Sequence, residues 1–83
     1  MYFVYAIFNR KYGKIYIGQS KSLKERLELH HNKIFKNSYT SRFDGGWTLI
    51  YSEPVATRKE ALTREKQLKS YRGREFIKNL IPP

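Results

Sequence analysis

Apolar positions along the chain fall into three short continuous runs and two stretches of helical spacing, and each predicts one element. Tyr2–Phe8 (YFVYAIF) is unbroken, aromatic and β-branched, the composition of a buried strand. The polar segment Asn9–Lys14, with Gly13 inside it, predicts a hairpin loop, and Ile15–Gly18 a returning strand. If paired residue numbers in this hairpin sum to an odd value, Tyr5 and Tyr16 share a sheet face. An even sum puts them on opposite faces, and the sequence does not choose between the two. Trp47–Tyr51 (WTLIY) predicts a third strand that Pro54 stops soon after.

The helical stretches each begin with a capping box. Ser22–Glu25 (SLKE) opens a helix expected to run to about Asn32, with Leu23, Leu27 and Ile34 as its inner stripe, His30 on that stripe and Arg26 on its flank. Thr57–Glu60 (TRKE) opens a second, expected to end near Ser70, with Ala61, Leu62 and Leu68 as its apolar face. Within Tyr71–Glu75 (YRGRE), Gly73 predicts a break and a last short helix, Arg74–Leu80, ended by Pro82. Lys33–Gly46 is polar and carries a DGG turn signal, so it reads as a basic loop. The order is β-β-α-β-α-α. The expected architecture is α+β, a small three-stranded antiparallel sheet flanked by helices, in one domain spanning residues 1–83.

Length makes packing economical. A chain of 83 residues buries roughly 60–65% of the surface its unfolded form exposes, so the core is thin. No cysteine is present to add a disulfide or a thiolate zinc site, which fits a reducing compartment and leads to a cytoplasmic expectation. The opening MYFVYAIFNR has no basic segment of the signal-peptide type, and its apolar run is too short for a bilayer. Charge changes the picture most. Seventeen Lys+Arg against seven Asp+Glu give a net +10, distributed from Arg10 to Lys78. A basic folded body of this kind draws polyanions, so nucleic acid is the expected partner, DNA ahead of RNA. Neither helix has the bulky apolar face that binding to a membrane surface requires.

Most acidic residues have a structural account. Glu25 and Glu60 complete the capping boxes, and Glu28 points away from the apolar stripe. Glu65 falls angularly inside the apolar face of its helix, where a carboxylate is costly without a partner. It either forms a salt bridge, with Arg26 or with Lys69 four residues on, or ligates a metal. Arg26, His30 and the two strand tyrosines are all expected to point, with Glu65, into one sheet–helix interface. Gly18 either ends its strand or lets a substrate backbone approach. Trp47 and Tyr51 are expected in the core. Tyr39 and Arg42, in the basic loop, are candidates for touching nucleic acid.

VYA (Val4–Ala6), YIG (Tyr16–Gly18), KSLKERLELH (Lys21–His30) and EALTREKQLK (Glu60–Lys69), in this order and spacing, resemble a GIY-YIG nuclease domain, and in particular the short stand-alone bacterial members of that family. The resemblance extends to about Leu80. It implies a metal-dependent phosphodiesterase acting on nucleic acid, with Tyr5 and Tyr16 as the motif tyrosines, Arg26 and His30 as catalytic helix residues and Glu65 as metal ligand. Lys21, Tyr39, Arg42, Lys69 and Asn79 are the accompanying candidates for nucleic-acid contact. Val4 stands where the first motif of the family opens with glycine, and Gln19 where some members carry a lysine.

This set suits the chemistry of phosphodiester hydrolysis. An arginine fork such as that of Arg26 matches phosphate and stays charged. One Mg²⁺ (or Mn²⁺) on a single carboxylate, with waters and a phosphate oxygen completing its shell, assists the leaving oxygen. Free tyrosine has a pKa of about 10, so a tyrosine base needs nearby cations to stabilise its phenolate. Tyr5 is the first choice of base, with Tyr16 orienting water or phosphate and His30 relaying the proton; the two tyrosines can exchange roles. The expected function is an endonuclease selective for DNA structure or single strands rather than sequence, acting in DNA repair or processing, with any further specificity supplied by a protein partner. A non-catalytic basic nucleic-acid-binding module on the same fold is the alternative.

Overall fold

The computed structural model describes residues 1–25 and 46–81. Three strands, β1 (Tyr2–Asn9), β2 (Lys14–Ser20) and β3 (Thr48–Val55), form an antiparallel sheet in the order β2-β1-β3. A helical turn opens at residues 23–25 between β2 and β3, and the helices Arg58–Lys69 and Tyr71–Lys78 follow β3. The order is therefore the expected β-β-α-β-α-α. Arg26, His30, Tyr39 and Arg42 lie outside the described residues, as do most of the first helix and the basic loop.

Alternation along β1 separates two faces. Val4 and Ala6, with Ile17 of β2, pack against Ala61, Leu68 and Ile77 of the two helices, and Tyr2, Ile15, Ile50, Tyr51 and Val55 border this cluster. Tyr5 and Ile7 are also buried but belong to the opposite face. Asn9, at the end of β1, is fully buried, and its Oδ1 accepts from the Tyr12 N–H at 3.1 Å, closing the hairpin turn. Gly13 completes that turn at φ +64°, a left-handed conformation that favours glycine. The hairpin pairs Tyr5 with Gly18 and Ile7 with Tyr16, so its register has the odd sum that places both tyrosines on one face.

Three boundaries and the burial of one residue differ from the sequence expectation. β2 continues past Gly18 to Ser20. β3 runs through Pro54 to Val55, because β3 is an edge strand and a missing N–H costs nothing on the unpaired side. Leu62 is 45% exposed rather than part of the apolar face. The helix break comes at Ser70, and Gly73 lies inside the last helix. Ser70 explains the break: its hydroxyl accepts from the Gly73 N–H at 3.3 Å and donates to the Gln67 carbonyl, capping one helix while ending the other. A Cβ at Gly73 would lie 2.3 Å from the Gln67 carbonyl oxygen, so glycine there permits the close approach of the two helices.

Both capping boxes form their forward bond, Glu25 N–H to Ser22 Oγ at 3.4 Å and Glu60 N–H to Thr57 Oγ1 at 3.2 Å. Glu60 reaches back to the N–H of Ala56, one residue before the cap. Arg64 anchors the Arg58–Lys69 helix to the sheet through an ion pair with Glu53 of β3. That carboxylate, with a smaller contribution from the Tyr51 hydroxyl, pushes the Arg64 guanidinium above its ordinary pKa. Tyr51 meets Phe76 edge-on at 5.4 Å and borders the core without being buried in it, and Trp47 is likewise only half-buried, where both were expected in the core.

Candidate active site at the β2 edge

Tyr5 and Tyr16 lie diagonally across the β1–β2 ladder with ring centroids 6.3 Å apart and planes tilted by 44°. The space between them is made by Gly18. A Cβ there would lie 2.9 Å from both the Tyr5 hydroxyl oxygen and Tyr16 Cε1. The glycine thus admits two aromatic rings of its own chain, where the sequence suggested a strand end or an approaching substrate. Tyr5 is 1% exposed, whereas Tyr16 is half-buried and reaches the surface.

Glu65 lies on the helix that covers the Val4/Ala6 face, opposite the tyrosines. Among the described residues, the two tyrosines and the Glu65 helix therefore lie on opposite faces of the sheet and not in the one sheet–helix interface expected for them. The Glu65 carboxylate, with the side chain 19% exposed, pairs with Lys69 Nζ at 3.1 Å, which is the i,i+4 alternative the sequence offered. Lys69 and Tyr16 both line a cavity of about 530 Å³, together with Gly13, Lys14, Ile15, Ile17, Arg74 and Lys78. Because β2 is an edge strand, residues from both faces can converge along its free side.

Of the candidate contact residues, the structure brings Lys69 to this cavity. Lys21 lies beyond the far end of β2, its ammonium 5.6 Å from the Tyr2 ring. Asn79 is an exposed cap of the last helix, donating its backbone N–H to the Glu75 carbonyl at 3.2 Å. Lys14, Arg74 and Lys78 were not singled out by the sequence reading. The spacing of Arg74 and Lys78, one helical turn apart within the expected Arg74–Leu80 helix, was an available signal for a shared face, but not for that face lying beside β2.

Among the described residues no group of three or more His, Cys, Asp or Glu side chains gathers to hold a metal. Glu65 fits the less demanding alternative, since Lys69 is its only partner there and Mg²⁺ commonly takes one carboxylate with waters and phosphate oxygens. No helix of the described residues is long and apolar enough to cross a membrane.

The three-stranded antiparallel sheet with flanking helices, in the order β-β-α-β-α-α, is a nuclease-type fold, as the family match implies. The GIY-YIG catalytic domain family matches residues 1–78, and the chain belongs to that family. It is similar to UPF0213 proteins from two strains of Staphylococcus epidermidis, each 31% identical over 66 residues, spanning 80% of this chain and 78% of the relative. In fold it is similar to the UPF0213 protein of Bacillus halodurans, whose solution NMR structure superposes with a TM-score of 0.54 at 24% identity, covering 96% of this chain and 85% of that one.

Proposed function

We propose that the protein is a metal-dependent endonuclease that hydrolyses phosphodiester bonds in DNA, at single-stranded or structured sites and with little sequence preference, in DNA repair or processing. The observation that carries this reading is the Tyr5–Tyr16 pair over Gly18, set beside a cationic cavity that Tyr16 helps to line. Burial of Tyr5 favours exchanging the roles first assigned: Tyr16 takes the proton of the attacking water as base, and Tyr5, packed behind it, orients it. Arg26 neutralises the phosphoryl oxygens and His30 relays the proton, as the family resemblance implies.

Glu65 is the residue that would hold Mg²⁺ or Mn²⁺, which when bound supplies charge neutralisation at the phosphoryl and leaving oxygens. Lys69 must release the carboxylate for that. With Lys69 half exposed, an i,i+4 pair of this kind is worth under about 1 kcal/mol, so the release costs little.

The test is a cleavage assay on labelled single-stranded, duplex and branched DNA and on RNA, with Mg²⁺ or with EDTA, comparing wild type with Glu65→Ala and Tyr16→Phe. EDTA and Glu65→Ala are expected to reduce cleavage to background, and Tyr16→Phe to slow it about 10²–10⁴-fold. Salt-sensitive binding that Glu65→Ala leaves intact, without cleavage of any substrate by wild type, would establish the non-catalytic binding module instead.

A further inference from the structure

We propose that the β2-edge cavity is a backbone clamp for one DNA strand, in which Lys14, Lys69, Arg74 and Lys78 take the phosphates flanking the one presented to Tyr16. The inference rests on the nuclease reading for the identity of the ligand and adds to it the path the strand follows. Its ground is convergence. Lys14 comes from β2, Lys69 from the end of one helix, and Arg74 and Lys78 from the next, yet all four line one concavity with Tyr16.

Two acids offset part of this charge, Glu65 on Lys69 at 3.1 Å and Glu75 on Lys78 at 3.6 Å, and the second is an exposed pair weak enough for a phosphate to displace. Arg74 makes no ion pair among the described residues. Its guanidinium is the fork best matched to a phosphate. The cavity's volume, about 530 Å³, is that of a small-ligand site, which suits a single backbone and not the width of a duplex. Ile15 and Ile17 supply an apolar floor against which a sugar can rest.

The experiment reads binding apart from catalysis. A fluorescein-labelled oligothymidylate is titrated with protein in EDTA over a series of salt concentrations, and the slope of log K against log salt is measured by anisotropy. For a single strand each phosphate contact contributes about 0.7 to that slope. Arg74→Gln/Lys78→Gln is therefore expected to lower it by about 1.4, and Lys14→Gln, on a separate element, by about 0.7. Arg58→Gln/Lys59→Gln removes the same charge from an exposed turn outside the cavity and is expected to leave the slope unchanged. Thermal unfolding checks that each variant is folded, and Lys14→Gln decides the matter alone if the double variant is not. Equal losses for the cavity and control variants, or no loss for the cavity variants, would overturn the clamp. A wild type that binds through the cavity but cuts nothing would overturn the nuclease reading and leave the clamp standing.

Discussion

A methyl group on Gly18 would sit 2.9 Å from Tyr16 Cε1 and from the hydroxyl of Tyr5, and Tyr5 is too deeply buried to swing away. Gly18→Ala is therefore expected to cost about 1–3 kcal/mol by overpacking, measured by urea denaturation. It should also slow cleavage through a displaced Tyr16. Gly13 makes the useful comparison. Nothing lies within 4 Å of a Cβ there, so Gly13→Ala carries only the backbone penalty of a positive φ, about 1–2 kcal/mol. If Gly18→Ala proves neutral in both assays, the two tyrosines do not depend on the gap between them. Residue identities left both readings open: Tyr5 and Tyr16 as packing or chemistry, Glu65 as a salt bridge or a metal ligand, and the Glu65–Lys69 pair is the salt bridge the spacing offered. What the sequence withheld is who fills the space over Gly18, because that depends on the register of the opposing strand.

Capping was legible at the scale of the element. Serine or threonine followed three residues later by glutamate is a local signal, and Thr57 and Ser22 both behave accordingly. Thr57→Ala is expected to cost about 1 kcal/mol in the same denaturation experiment. Gly73 misled because its role is tertiary. Low helix propensity suggests a break, whereas the requirement is room for the backbone of Gln67 and Leu68, 2.3 and 2.5 Å from an added Cβ. Backbone cannot yield as a side chain does, so Gly73→Ala should destabilise by more than about 3 kcal/mol, the upper end of ordinary overpacking. A loss within the range of a propensity change would show that the helix pair can separate cheaply. The Arg64–Glu53 pair is partly exposed, and Arg64→Met is expected to cost under about 1 kcal/mol. A raised folded-state pKa contributes stability below it and loses that contribution only as pH climbs through it. For Arg64 this lies above the arginine's already high range, so the cost of Arg64→Met should not change between about pH 7 and about pH 9.

Across the whole molecule, the sequence conveyed the strand count, the element order and the basic character, because these follow from local pattern and composition. It did not convey that the tyrosines and the helix carrying Glu65 occupy opposite faces of one sheet, with Tyr16 and Lys69 lining one cavity at its β2 edge. That arrangement depends on which strand is outermost, and strand order is not a local property. A net charge of +10 makes one further expectation global: cleavage at limiting substrate should fall steeply as salt rises, while the rate at saturation changes little. Equal loss in both regimes would point to salt acting on the chemistry instead. The central position of β1 bears on how the domain assembles. Ala6 is matched to Ile17 across a short hairpin but to Tyr51 only after a long stretch of chain has been brought round. Hairpins close in about 1–10 µs, whereas distant pairings wait on loop entropy. The first seam can thus serve as the nucleus and the second as the late, committing event. Trimming Ile17 to valine should mainly slow folding, and trimming Tyr51 to leucine should mainly hasten unfolding, which stopped-flow chevrons would separate.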